Sequence, residues 1–284
     1  MDSICILTDS SAQFPKPTFK GYKQVTILPL EVQLNGSSMN DESNMHADQL
    51  PKNANEKLHP RLISPSIEKI HSLFVNLSQY YDTIIGIFLS SELNQCFHNA
   101  HEATLALSGK VDIHLVDSKT TSVGLGLLVQ KAAEAVNDGM NAVQVERMVR
   151  GLVPLTYSLI CTQNLSYLYF NGFADQTQSI ISEMLGLLPI FALEEGQITT
   201  IEKVKSHRHA ISYFQEFLDE FNHLQHISFL QSAKPNFKDA KILQESVRNT
   251  FPRIPFTKHI INLPLAALFG PRSIGLIVVE SPIE

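Results

Sequence analysis

Short apolar runs alternate with amphipathic segments through the first half of the chain. Residues 4–7, 83–89 and 111–116 are near-continuous apolar runs, which predict buried strands. Apolar side chains in residues 66–77 keep helical spacing, and residues 122–136 predict another helix. Strands that alternate with helices in this way indicate a parallel sheet with helices on both faces.

The second half follows a less regular pattern. It predicts a strand at 159–163, helices at 165–170 and 177–188, a hairpin at 191–198 and a last strand at 274–279. Gly196 is expected to supply the positive φ of the hairpin turn, and Ser206 to cap a further helix. We therefore expect an α/β protein of two domains: an N-terminal parallel-sheet α/β/α domain, residues 1–155, and a C-terminal mixed-sheet α+β domain, residues 156–284.

Residues 25–60 fit neither pattern well. The segment 25–34 is predicted to be extended, and Pro29 argues against a central strand there. Residues 35–60 are polar and rich in turn formers, so we expect a long surface excursion with at most one short helix.

Three predicted strands end in loops of hydroxyls and carboxylates, at Asp9-Ser10, Ser90-Ser91 and Asp117-Ser118. Each loop alone is better explained as a helix cap than as a catalytic pair, since no Gly-x-Ser-x-Gly elbow marks a nucleophile. Strand ends of a parallel sheet meet at one edge, so the three loops together would line one crevice. That composition favours recognition of a polar head group over catalysis.

The most distinctive stretch is His114 to Val129, a strand, a polar turn and a helix start that contains Gly124 and Gly126. These glycines would let another backbone or a ligand come close to the first helical turns. The spacing of a dinucleotide or P-loop fingerprint is absent. We interpret the stretch as a conformational brace, with Ser118 and Ser122 as capping residues.

Composition narrows the classes of function. A net charge of -6 and a pI of about 6.0 disfavour nucleic-acid binding. The three cysteines lie far apart, the first residues resemble no secretory signal peptide, and no apolar run nears the length of a membrane span. We expect a cytoplasmic protein without stable membrane insertion.

Two clusters in the sequence contain histidine. His98, His101 and Glu102 do not have the spacing of a zinc motif, so we expect no metal. The run from Lys203 to His209 is a basic patch, which is explained more simply as a solvated helix start than as a surface for an anionic partner.

The chain resembles the DegV family of bacterial fatty-acid-binding proteins, in pieces that recur in family order. The central piece, Val-Asp-Ser-Lys-Thr-Thr-Ser-Val-Gly-Leu-Gly-Leu-Leu at 116–128, is the most specific. The other pieces are Ile-Leu-Thr-Asp-Ser-Ser-Ala at 6–12, Leu-Pro-Leu at 28–30, Ser-Pro-Ser at 64–66, Leu-Ser-Ser-Glu-Leu at 89–93, Leu-Ser-Tyr-Leu at 165–168, Leu-Pro-Ile at 188–190, Leu-Glu-Glu-Gly-Gln-Ile at 193–198, Glu-Lys-Val at 202–204 and Gly-Pro at 270–271.

This resemblance implies a two-domain fold that holds a long-chain fatty acid in an apolar tunnel, with its carboxylate near the domain interface. It implies that the protein is no enzyme and needs no cofactor. Members of this type present the fatty acid to a separate fatty acid kinase, which phosphorylates the carboxylate.

The sequence departs from the family where the carboxylate is held. Leu62 stands at a head-group threonine, Asn94 at a ligand serine and Lys205 at an arginine. An arginine is lost at Phe173 and a histidine near Leu268, and Arg272 is gained. The residues expected at the ligand are Leu62, Ser64, Asn94, Lys205 and Arg272, of which Arg272 alone offers a bidentate ion pair.

Three hypotheses follow from the sequence. The favoured one is a carrier that sequesters a long-chain fatty acid, with the apolar residues 177–190 as a tunnel wall. The second is a diverged DegV-type scaffold that acts through protein contacts without lipid delivery. The third, an enzyme that uses the Asp-Ser loops, has the least support.

Overall fold

The computed structural model describes residues 3–39, 46–107, 111–235 and 237–282. Their contacts divide the chain into two compact units. The first contains Met1–Glu31, Ile63–Pro154 and Glu195–Gln197, and the second contains Val32–Leu62, Leu155–Glu194 and Ile198–Glu284. The domain boundary at residue 155 stays a prediction.

The first unit contains a four-stranded sheet in which every strand pair is parallel. Its strands, in the spatial order β2-β1-β6-β7, are β1 Ile4–Asp9, β2 Val25–Leu28, β6 Thr83–Phe88 and β7 Asp112–Asp117. The two central strands are buried along their whole length. These pairs confirm the predicted parallel sheet. The near-continuous apolar runs are typical of strands that are buried on both faces.

The described residues of the first unit contain four helices, two of which begin at a capping side chain. They are α1 Ile67–Leu77, α2 Cys96–Leu105, α3 Ser122–Asn137 and α4 Ala142–Leu152. Ser66 caps α1 as predicted, with its hydroxyl accepting from the Lys69 amide at 3.3 Å. Asn141 and Gln144 form a reciprocal capping box at the start of α4.

The second unit contains a six-stranded mixed sheet in the order β10-β9-β8-β13-β11-β12. Strand β8 pairs antiparallel with β9 and β13, and β11 pairs antiparallel with β13 but parallel with β12. The predicted mixed sheet is therefore confirmed. The strands are β8 Thr156–Cys161, β9 Leu188–Glu194, β10 Gln197–Val204, β11 Leu224–Gln231, β12 Phe256–Ile260 and β13 Ile274–Glu280.

One core of the second unit joins this sheet to two helices, α7 His207–Leu218 and α8 Phe237–Thr250. Phe214 and Leu243 of the helices pack in one cluster with Phe229 of β11, and all are at most 1% exposed. Ser206 caps α7 as predicted, accepting from the His209 amide. The other helices are α5 Ser166–Phe170, α6 Gln176–Leu185 and α9 Leu263–Phe269.

The predicted helix 177–188 is wrong at its end. Helix α6 stops at Leu185 because Gly186 adopts a left-handed conformation, φ 61°, and β9 begins two residues later. The predicted hairpin after it is present: Glu195 and Gly196 link β9 to β10 with φ of 49° and 86°.

A small three-stranded sheet in the order β4-β3-β5 completes the second unit. Its strands are β3 Glu31–Leu34, β4 Ser37–Met39 and β5 Arg61–Ile63. Pro29 separates β2 from β3, which is why the extended segment 25–34 splits in two. The predicted excursion contains the short 3-10 helix Ala47–Gln49, but β4 was missed, and residues 40–45 lie outside the described residues.

Candidate functional site

The carboxylates at the ends of β1 and β7 hold neighbouring loops in place. Asp9 is fully buried and accepts from the amides of Ser11 and Leu89, at 2.9 and 2.7 Å. Burial raises its pKa, against the opposing effect of these hydrogen bonds. Asp117 accepts from the Ser91 hydroxyl at 2.5 Å and from the Lys119 ammonium at 2.9 Å. Both side chains are thus used to fix the loops.

The crevice at the carboxyl ends of these strands is occupied by the turn Glu195–Gln197. The Ser90 hydroxyl donates to the Gly196 carbonyl at 2.8 Å, and the Gln197 side-chain nitrogen donates to the Glu92 carboxylate at 3.3 Å. Ligands of open parallel sheets usually bind in this position. Here the chain's own backbone occupies part of that space and lies close to Lys119, which supports the interpretation of the stretch from His114 to Val129 as a brace.

The helix start after Asp117 is held by the loop that follows β1. The Gln13 amide donates to the Ser122 carbonyl at 3.0 Å, and the Ser122 hydroxyl donates to the Gln13 side-chain oxygen at 2.7 Å. A Cβ added to Gly126 would lie 2.1 Å from the Gln13 carbonyl oxygen, which confirms the close backbone approach expected at this glycine.

The capping roles predicted for two serines here are wrong. Thr121 is the N-cap of α3, and its side chain makes no capping hydrogen bond. The Ser118 hydroxyl donates to the Thr120 carbonyl within its own loop at 3.2 Å. Ser122 is the first helical residue, with φ 55°, and its hydroxyl is directed to the loop after β1.

Two predicted ligand residues are in contact within the first unit. The Ser64 hydroxyl donates to Oδ1 of Asn94 at 2.6 Å, and the same oxygen accepts from the Cys96 amide at 3.1 Å. Asn94 is 8% exposed and Ser64 is partly buried. The pair forms a fixed hydroxyl and amide at the start of α2.

The other predicted ligand residues belong to the second unit and differ in burial. Leu62 is buried on β5 at 9% exposure. Lys205 is exposed in the bend before α7, and Arg272 is exposed in the turn between α9 and β13. Neither cation forms an ion pair with any carboxylate in the described part of the chain.

Asn171 and Leu268, which lie near two of the departures noted in the sequence, have structural roles. The Asn171 side-chain amide donates to the carbonyls of Tyr167 and Ala267 at 2.9 and 3.0 Å, with that of Pro60 at 3.4 Å. It therefore links α5 to α9. Leu268, near the lost histidine, is buried at 2% exposure. Asn171 and Leu268 thus stabilise the packing of α5 and α9.

A cavity of about 380 Å³, lined by six apolar and four polar residues, lies within the second unit, along α6 and the start of β9. Both elements fall in the segment predicted to wall a tunnel. Sequence reasoning missed Phe191 and Thr200 as lining residues, although the alternation of side chains along β9 and β10 was a usable signal. The lining consists of Leu165, Gln178, Ile181, Ser182, Leu185, Leu187, Pro189, Phe191, Thr200 and Lys203.

Helix α6 also exposes apolar side chains that do not line the cavity. Ile180 and Ile181 are each 50% exposed, and Met184 and Leu185 are 80% and 64% exposed.

No helix of the described residues is long and apolar enough to cross a membrane. Within the same residues, no group of three His, Cys, Asp or Glu side chains is placed to hold a metal ion.

Comparison with known proteins places the chain in a family. A model of an uncharacterised protein family, the DegV family, matches residues 3–281. A DegV domain-containing protein of Caldanaerobacter subterraneus subsp. tengcongensis is 28% identical over 218 residues, which are 77% of each chain. The chain belongs to the DegV family.

Solved structures of the family share the whole fold. A fatty-acid-binding DegV family protein from Thermus thermophilus matches with a TM-score of 0.84 at 20% identity, covering 98% of this chain and all of that one. The Fatty Acid Kinase (Fak) B3 protein of Streptococcus pneumoniae, loaded with linoleic acid, matches with a TM-score of 0.81 at 17% identity, over 98% and 100% of the two chains.

Proposed function

We propose that this protein is a lipid-binding carrier that sequesters a long-chain fatty acid. The observation that carries the proposal is the 380 Å³ cavity, in which six of the ten lining residues are leucine, isoleucine, proline or phenylalanine and the other four are Gln178, Ser182, Thr200 and Lys203. Small-molecule sites are typically cavities of about 300–1,000 Å³ with this character. Two relatives of the same fold, named above, bind fatty acids.

Burial of the acyl chain is the main source of affinity. Transfer of a sixteen-carbon chain contributes about 0.8 kcal/mol per methylene, on the order of 10 kcal/mol in total before ordering costs. An ionised carboxylate left without partners would cost several kcal/mol of this. The carrier therefore needs polar groups for the head of the ligand.

We propose Ser64 and Asn94 as hydrogen-bonding groups for that head, because their contact at 2.6 Å holds both side chains in place. The Asn94 amide nitrogen is a donor that a carboxylate can accept from. Leu62, Lys205 and Arg272 stay predictions for the same role. Lys205 and Arg272 are exposed cations, whereas Leu62 can contribute only apolar contact.

The acyl cavity is tested with two adjacent residues. Ile181 lines the cavity and Ile180 does not, although both are 50% exposed. We expect Ile181→Trp to fill the cavity and abolish uptake of palmitate and oleate, and Ile180→Trp to retain it. Bound lipid is measured by mass spectrometry of organic extracts after delipidation and reloading. Equal uptake by the two variants, or no uptake by the parent protein, would refute the carrier function.

The head-group residues are tested by ligand discrimination. Palmitate and hexadecanol share an acyl chain, so their affinity ratio isolates the contribution of the carboxylate. We expect Asn94→Leu or Arg272→Gln to lower this ratio at least tenfold if that residue holds the carboxylate, with Lys205→Gln and Ser64→Ala tested alongside. A ratio unchanged in every variant would place the head group elsewhere.

We propose further that a separate fatty acid kinase acts on the bound ligand. Incubation of the loaded protein with such a kinase and ATP should convert the bound fatty acid to an acyl phosphate, trapped by hydroxylamine as a hydroxamate. Free fatty acid without the carrier is the control. A kinase that reacts equally well without the carrier would exclude this role.

A further inference from the structure

A second, polar cavity lies in the small sheet of the second unit. It has a volume of about 170 Å³ and lies between the β3–β4 turn and the segment that leads into β5. The turn residues Asn35 and Gly36 both have positive φ, 54° and 75°, as a two-residue hairpin turn requires. The lining side chains and backbone come from Gln33, Asn35, Gly36, Lys57, His59 and Arg61.

The alternation of side chains along the strands explains why this cavity is polar. Val32 and Leu34 of β3 and Leu62 of β5 are buried, whereas Gln33 and Arg61, their chain neighbours, are exposed. Successive strand residues point to opposite faces. Arg61 therefore lies on the opposite face of β5 from Leu62, which is one of the residues predicted at the head group.

The charge at the cavity is unbalanced. Lys57 and Arg61 both line it, no carboxylate does, and neither cation forms an ion pair with another described residue. This concentration of positive charge occurs in a chain with a net charge of -6. Adjacent cations without a counter-charge repel each other, and an anion between them relieves that repulsion.

His59 is held in position beside the two cations. Its ring stacks on Phe170 with a centroid distance of 4.9 Å and an interplanar angle of 14°. Nδ1 lies 3.1 Å from the Asn55 carbonyl oxygen, so Nδ1 carries the proton and donates to it. In this tautomer Nε2 is an acceptor, which suits the hydroxyl of a monoprotonated phosphate.

We propose that Lys57, His59 and Arg61 form a binding site for a phosphate group. Arginine presents a planar fork that matches phosphate oxygens, and lysine adds a point charge. The side-chain amides of Gln33 and Asn35 supply neutral donors for the remaining oxygens. A cavity of 170 Å³ is smaller than a typical drug-sized site, which favours inorganic phosphate or the terminal group of a simple phosphate ester over a nucleotide.

The experiment measures phosphate binding to the full-length protein by calorimetry at low ionic strength. The probes are inorganic phosphate and methyl phosphate, with acetate as the comparison anion. We expect Arg61→Gln and Lys57→Gln each to weaken binding at least tenfold. Lys52→Gln removes an exposed cation from the same segment outside the cavity and is expected to bind like the parent protein.

Sedimentation with vesicles distinguishes the source of the phosphate. Arg61-dependent binding to phosphatidylglycerol vesicles, without binding of the soluble phosphates, would identify a lipid head group. Failure of both soluble probes and of the vesicles to bind, binding that Arg61→Gln leaves unchanged, or equal affinity for acetate would overturn the proposal. Melting curves of each variant establish that the fold is retained, and palmitate uptake of the same variants, expected to be unchanged, separates this site from the carrier function.

Discussion

The Ser90 hydroxyl and the Gly196 carbonyl are joined by a hydrogen bond of 2.8 Å between residues 106 positions apart in sequence. Ser90 follows β6, and Gly196 forms the turn between β9 and β10. A Cβ on Gly196 would lie 2.3 Å from the Ser90 hydroxyl oxygen and 2.9 Å from a side-chain carbon of Lys119. The turn therefore depends on a residue without a side chain.

Substitution of this glycine should be strongly destabilising. Gly196→Ala adds the close contacts to the strain of a positive φ of 86°, so we expect the free energy of unfolding to fall by roughly 3 kcal/mol or more. Gly172 is the control, since its φ is 83° and an added Cβ meets nothing within 4 Å. Gly172→Ala should cost about 1 kcal/mol. Equal losses in urea titrations of the two variants would show that the contact with Ser90 is unimportant.

Most of the architecture could be predicted because its signals are local. Apolar runs at β1 and β6 and the cap at Ser66 specify elements through residues a few positions apart. The error at residues 186–188 arose because Leu187 and Leu188 continue an apolar run, whereas Gly186 can end a helix at no steric cost.

The site was harder to predict because it depends on distant parts of the chain. The capping role expected of Ser122 failed since its hydroxyl is used by Gln13, 109 residues away. Nothing local to Ser90 indicates that a turn beginning at residue 195 meets it. By contrast, Ser64 and Asn94 were both predicted to bind the head group, and their side chains are in contact. Their role in binding stays a prediction.

The packing of α3 gives a second prediction on glycines. Gly126→Ala would place Cβ 2.1 Å from the Gln13 carbonyl oxygen, a backbone atom that moves only with its loop. We expect a loss of about 1–3 kcal/mol in the free energy of unfolding. Gly151 is the helical control, because a Cβ there meets nothing within 4 Å. Gly151→Ala should stabilise by about 0.5–1 kcal/mol, so opposite signs in thermal unfolding are the expected result.

A histidine between two carboxylates should make stability depend on pH. Nδ1 of His114 lies 2.6 Å from Glu146 and Nε2 lies 3.0 Å from Asp112, so both contacts are satisfied only by the protonated ring. Burial lowers the pKa of His114, but the hydrogen bonds and charges of the two carboxylates outweigh it and raise the pKa above 6.5. Its contribution is complete below pH 6.5 and is lost as pH rises through the raised value.

Glu146 sets the lower limit of the pH range in which this contact stabilises the fold. Burial raises its pKa, but hydrogen bonds from His114 and Arg150 outweigh it and hold the pKa below 4.5. Its contribution is present above pH 4.5 and is lost as pH falls through the lowered value. Urea titrations from about pH 5 to 8.5 should show stability falling with pH, less steeply in His114→Gln than in the exposed control His209→Gln. Parallel curves for the two variants would exclude His114 as the titrating group.

Asn171 provides a test of the link between α5 and α9. Its amide nitrogen donates to the carbonyls of Tyr167 and Ala267 at 2.9 and 3.0 Å. Asn171→Asp replaces that donor with an oxygen that faces two carbonyls, so we expect the free energy of unfolding to fall by about 1–3 kcal/mol. Asn222→Asp, at an exposed position between α7 and β11, makes the same chemical change and should stay within about 0.5 kcal/mol of the parent protein. Both variants are measured by urea titration at pH 7. An equally small effect at Asn171 would show that these two hydrogen bonds contribute little to stability. Helix α9 would then be held mainly by apolar packing, since every residue from Leu263 to Phe269 is buried.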